Sequence, residues 1–132
     1  MPEPWEATPL PFPNGYPRGE TIGPLIVPVD VGEEVVDGMT VDLEFFRENR
    51  DSVPFQRCSS VPSRIVGGGT QITITPNPAN PTKEATVTAA KWNPAQAGLI
   101  GYRLRFRWPN DIPTRTPHAG WWRIEENPKG NE

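Results

Sequence analysis

The stretch GYRLRFRWPND, residues 101–111, decides the fold. Tyr102, Leu104, Phe106 and Trp108 occupy one parity, and Arg103, Arg105 and Arg107 occupy the other. In an extended strand successive side chains point to opposite faces, so the arginines form a row about 6.5–7 Å apart. Burying an apolar side chain of this size contributes on the order of 1.5–3 kcal/mol. The apolar parity therefore turns inward, and the arginines follow onto the outer face. This is the longest expected strand, at about 99–108.

The same period of two recurs on either side. TIGPLIVPVDV (21–31) reads as an edge strand, because Pro24 and Pro28 cannot donate to a ladder. In MTVDLEFF (39–46), Val41, Leu43 and Phe45 alternate with Thr40, Asp42 and Glu44. SRIV (63–66) is a short run ended by Gly67-Gly68-Gly69, which reads as a flexible turn. TQITIT (70–75) and EATVTAAKW (84–92) follow, stopped by PNPANP and NPAQAG. PNDIPTRTPHAG (109–120) reads as a loop and WWRIEE (121–126) as the last strand, with Trp122 and Ile124 facing inward and Trp121, Arg123 and Glu125 outward. About seven short strands with regular turn signals and no helical period predict an all-β antiparallel sandwich.

The chain has 132 residues, enough for one ordinary domain. It carries 18 prolines and 12 glycines, yet five Trp, five Phe and two Tyr argue for a packed core. Seven of the prolines lie in residues 1–24. Each sets its own φ and removes a donor, so residues 1–19 read as an extended arm. Trp5, Leu10, Phe12 and Tyr16 along it are more apolar than a solvated linker requires. The segment reads either as a solvated tail or as an arm whose apolar side chains dock on a neighbouring subunit; the second is the expectation, and the arm is expected to add nothing to the domain's own core. The sandwich is expected at 20–126 and a polar tail at 127–132. The first residues, MPEPWEATPLPF, lack a basic segment followed by an apolar run, and no stretch approaches a membrane span. A soluble protein made in a cytoplasm is the expectation.

ATVTAAKWNPAQAGLIGYRLRFRWPNDIPTRTPHAGWWRIEE, within residues 84–126, resembles the end of an immunoglobulin-like domain. In such folds a small residue and glycine precede a strand whose tyrosine hydrogen-bonds back to nearby backbone. Ala97-Gly98 and Tyr102 fit that pattern, although Leu99, Ile100 and Gly101 loosen the spacing. The segment is most similar to immunoglobulin-like domains of tailed-bacteriophage virion proteins of the capsid-decoration, neck or baseplate type. There an aromatic strand (Tyr102 to Trp108) leads through a polar turn (Asn110-Asp111) and a threonine-containing return (Thr114 to Thr116). Pro117, Gly120 and an apolar last strand (Trp122 to Ile124) complete it. The resemblance implies an antiparallel immunoglobulin-like β-sandwich and a structural role in a phage particle.

Chemistry-bearing groups are sparse. One histidine, His118, and one cysteine, Cys58, cannot build a four-ligand zinc site. The glycine triplet at 67–69 lacks the Lys-Ser/Thr pair of a phosphate loop and follows no βα pattern. Neighbours Glu33-Glu34 and Glu125-Glu126 would point to opposite faces of a strand, which suits neither acid/base work nor cation binding. No catalytic residue, cofactor or metal is expected, and the chain is expected not to be an enzyme.

Charge is unevenly distributed. Residues 1–60 hold 11 acidic and 4 basic residues, net −7, and residues 61–132 hold 5 acidic and 9 basic, net +4. A row of like charges needs an offset. A neighbouring strand carrying Asp42, Glu44 or the acidic GEEVVDG segment would supply one, and so would another subunit or a polyanion. An overall charge of −3 argues against nucleic acid. The expected function is that of a non-enzymatic virion component that assembles in the host cytoplasm and is oligomeric in the particle. It would bind itself or a capsid, neck or tail subunit through Trp5, Leu10, Phe12, Tyr16, Arg103, Arg105 and Arg107, with no membrane partner. The alternative is a carbohydrate- or cell-surface-binding sandwich using Trp92, Trp108, Trp121 and Trp122 as a stacking platform.

Overall fold

The computed structural model describes residues 9–12, 16–18, 20–32, 34–47, 53–109 and 112–125. Its regular structure is β-strand apart from one 3₁₀ turn, Pro62–Arg64. The strands are β1 (Tyr16–Pro17), β2 (Leu25–Asp30), β3 (Thr40–Phe46), β4 (Gln56–Ser59), β5 (Ile72–Pro76), β6 (Glu84–Ala89), β7 (Gly98–Arg107) and β8 (Arg115–Glu125). They form two sheets, ordered β1-β8-β7-β3-β4 and β2-β6-β5. All pairings between these strands are antiparallel except that of β1, which adds Tyr16 and Pro17 in parallel beside Ile124 and Glu125; an isolated parallel bridge also joins Ser59 to Gln71.

β7 follows the parity of its sequence. Tyr102, Leu104, Phe106 and Trp108 are buried, while Arg103, Arg105 and Arg107 keep partial contact with solvent. Trp122 is fully buried and Ile124 nearly so, whereas Trp121 is 49% exposed. β2 lies at a sheet edge, where Pro28 can be accommodated. On β3 both parities are buried: Val41, Leu43 and Phe45 enter the core, and Asp42, Glu44 and Phe46 are equally inaccessible on the other face.

Three local expectations are corrected. The run 63–66 is not a strand. Pro62 opens a 3₁₀ turn there, and only Val66 keeps a bridge, to Arg57. The strand lies instead at Gln56–Ser59, whose QRCS sequence is too polar to announce itself. Residues 115–120, read as loop, belong to β8. Pro117 is tolerated because the β7–β8 register shifts between Leu104 and Phe106, where the ladder is already interrupted.

The largest correction concerns the arm. Leu10 is a core residue at 7% exposure, and Phe12 and Tyr16 pack against the same cluster. Phe12 stacks on Trp122 with centroids 4.2 Å apart and meets Tyr102 edge-on at 4.9 Å. The Leu10 N–H donates to the Tyr102 hydroxyl at 2.7 Å. This segment therefore closes the end of the sandwich. Without it the aromatic rings of β3, β7 and β8 would be left uncovered. Trp5 lies outside the described residues.

Candidate interaction surface

The outer face of the larger sheet is built on two buried carboxylates. Asp42 and Glu44 stand on β3 between β4 and β7, so Glu44 faces Arg57 on one side and Arg103 on the other. Arg57 Nε lies 3.1 Å from Glu44 Oε2, and Arg103 Nε lies 2.8 Å from Glu44 Oε1. Asp42 accepts a 2.6 Å hydrogen bond from Ser59 Oγ and a 2.9 Å bond from Arg64 Nε, with Arg64 Nη2 at 2.8 Å. Arg64 comes from the 3₁₀ turn, and its backbone carbonyl accepts from Arg57 Nη1 at 3.0 Å. Carboxylates survive burial only when paired and hydrogen-bonded in this way. Beside them Phe46 is buried under Arg103, whose guanidinium carbon lies 4.7 Å from the ring centroid.

Five guanidinium groups (Arg57, Arg64, Arg103, Arg105 and Arg107) thus surround two carboxylates, leaving an excess of three positive charges. Arg105 and Arg107 have the weakest compensation. Arg105 Nη1 is 3.7 Å from Glu44, and Arg107 Nε is 3.6 Å from Asp42. The Nε–H of each is buried with no acceptor within hydrogen-bonding distance. Burial lowers the pKa of Arg105, as do the charges of Arg103 and Arg107, against a smaller opposing pull from Glu44. The group remains cationic, so the cost is felt as unrelieved repulsion.

An apolar rim adjoins this plate. Trp121 pairs across from Gly101, and Leu99 pairs across from Arg123. Leu99 is 50% exposed. Of the four tryptophans considered as a sugar platform, Trp92, Trp108 and Trp122 are buried and Trp121 alone presents surface.

The three arginines of β7 are therefore gathered on one face as expected, and their offset comes in part from Asp42 and Glu44. Leu10, Phe12 and Tyr16 are not gathered with them and pack on the chain's own core. Reading by sequence missed Arg57 and Arg64. The available signal was cross-strand: Glu44 needs a cation on both sides, and QRCS holds one at the matching parity. His118 and Cys58 are not brought together. Cys58 is buried on β4 beside Thr70, and burial raises its pKa against the opposing Thr70 hydrogen bonds. Among the described residues no group of three or more His, Cys, Asp or Glu side chains is placed to hold a metal ion. None of their helices is long and apolar enough to cross a membrane. No family model, curated protein or solved structure matches this chain.

Proposed function

We propose that this chain is a non-enzymatic structural component of a tailed-phage particle, an immunoglobulin-like domain that binds other virion subunits through the outer face of its larger sheet. The strand order supports the immunoglobulin-like reading. β4-β3-β7-β8 corresponds to the C′CFG sheet of such folds, and β2-β6-β5 to B, E and D. The departure lies before β2, where β1 joins β8 and, among the described residues, no strand flanks β2 on its free side. The observation that carries the binding role is the arginine plate over Asp42 and Glu44, under-compensated at Arg105 and Arg107 and bordered by the exposed Trp121 and Leu99. Charged residues with an adjoining aromatic anchor suit recognition of another protein surface.

The test is mass spectrometry of phage particles purified from the strain that encodes the chain. Peptides of this protein at a fixed ratio to capsid or tail subunits are expected. Its absence from purified particles would overturn the reading. Retardation of the protein on polysaccharide gels, lost on Trp121→Ala, would favour the carbohydrate-binding alternative instead.

A further inference from the structure

The two outer faces of the sandwich are unlike. On the smaller sheet, β2, β6 and β5 carry no Lys or Arg, and their only charges are Asp30 and Glu84, which are paired across β2 and β6. The rest of that outer parity is Ile26, Pro28 and threonines 73, 75, 86 and 88. Ile26 is 59% exposed. An open cleft of about 380 Å³ lies at the acidic end, lined by Pro28, Asp30, Thr75, Asn77, Glu84 and Thr86 among others. The neighbouring Lys83 turns its ammonium group to the Glu34 carbonyl at 2.6 Å.

Each face therefore carries its exposed apolar side chains at one end, with Arg123 beside Leu99 on the larger sheet, and its densest charge towards the other, and the spacing agrees. Four residues separate Ile26 from Asp30 on β2, and four separate Gly101, the partner of Trp121, from Arg105 on β7. At 3.3–3.4 Å per residue, both intervals are about 13 Å. The apolar ends also lie at the same end of the molecule. Leu25 of β2 pairs with Ala89 of β6, Trp92 just beyond β6 contacts Phe45 at 5.9 Å, and Phe45 pairs with Tyr102 near the start of β7. At the opposite end Trp108 Nε1 donates to the Val35 carbonyl, beyond the end of β2, at 2.7 Å.

From this complementarity we infer that the partner of the arginine face is a second copy of this chain, stacked with its small acidic sheet face against the large cationic one. This deepens the structural role proposed above and rests on it. Trp121 and Leu99 of one copy meet Ile26 of the next. Arg105 and Arg107 reach the cleft between Asp30 and Glu84, whose carboxylates add to the loose compensation that Asp42 and Glu44 give them at 3.6–3.9 Å. The two surfaces differ, so the contact is head-to-tail and leaves one face of each kind free. Such an interface propagates into a ring or a filament and does not stop at a symmetric dimer. With sheets about 10 Å apart inside each copy and about 10 Å apart across the contact, the repeat is about 20 Å per copy.

The test is sedimentation of the full chain over a concentration series in 20 mM and 1 M NaCl. Species larger than dimers are expected at low salt, with dissociation at high salt as screening shortens from about 20 Å to about 3 Å. Ile26→Arg with Asp30→Lys blocks the acidic face, and Leu99→Glu with Trp121→Glu blocks the apolar rim of the other. Each double variant should stay monomeric, and their mixture should form a one-to-one heterodimer that grows no further. Thr86→Lys repeats the acidic-face block at a residue outside the core, should a double variant fail to fold. A wild-type chain that is monomeric throughout, a dimer that stops at two, or a labelled oligonucleotide bound in place of self-association would overturn the stacking. A monomeric chain still found in particles would leave the virion role standing. Stacking by a chain absent from particles would sink that role alone.

Discussion

Gly69 and Gly68 show how differently two adjacent glycines can be required. A Cβ on Gly69 would run into the Arg57 carbonyl, and one on Gly67 into the Phe55 carbonyl, so the turn is pressed onto β4. Gly68 has a positive φ of 83° but open space around its Cα. Gly69→Ala should cost about 1–3 kcal/mol by overpacking, and Gly68→Ala about 1–2 kcal/mol for the left-handed backbone alone. Denaturant melts of the two variants measure this, and equal native backbone shifts in both would contradict it. The triplet is thus less a flexible connector than a close-packed one. Tyr102 makes a comparable case. It is buried, and its hydroxyl accepts from the Leu10 N–H in the arm. Gly120 sits opposite, where a Cβ would crowd the hydroxyl. Tyr102→Phe leaves the buried Leu10 N–H without this acceptor and should destabilise by about 1–3 kcal/mol in chemical denaturation.

Among elements, the arm and β3 depart most from ordinary expectation. Deleting residues 1–12 removes Leu10 and Phe12 from the end of the core. At roughly 1.5–3 kcal/mol for each buried side chain, the truncated chain should lose several kcal/mol and melt well below the full chain. An unchanged melting temperature would show that the segment contributes no net stability. β3 holds the carboxylates on which the arginine plate depends. Glu44→Gln keeps the shape and removes the charge shared by Arg57 and Arg103. The expected loss is about 3 kcal/mol, the lower end for breaking a buried ion pair, because the arginines keep some water. Added salt should recover part of it by screening the arginines from one another.

For the whole molecule, Cys58 reports on cooperative opening. It is fully buried on the inner side of β4, the edge strand of the larger sheet, so a thiol reagent reaches it only when β4 separates from its neighbours. Labelling should therefore be slow in the native state and accelerate with denaturant along the global unfolding curve. Fast labelling of native protein would indicate local opening of β4. The raised thiol pKa also has a thermodynamic sign. The folded chain holds this proton more tightly than the unfolded one. The associated stability is complete below the ordinary thiol range and is lost as pH rises through it towards the higher folded value.

Period-two alternation by itself determined the all-β class, the direction of β7 and the parity of the Trp121–Trp122 pair. Each follows from one strong local preference, that of a strand to bury its apolar side. It also pointed to Asp42 and Glu44 as an offset for the β7 arginines, because facing rungs must balance charge. Local pattern could not locate β4, whose side chains are mostly polar and whose burial comes from neighbours distant in sequence. It likewise could not extend β8 through Pro117, since a proline is tolerated only where the ladder with β7 happens to be interrupted. The seat of the arm was decided by tertiary structure alone. Proline fixes how the segment is extended but not where it goes, and the gap that Leu10 and Phe12 fill exists only once Phe45, Tyr102, Trp92 and Trp122 have been brought together from four separate parts of the chain.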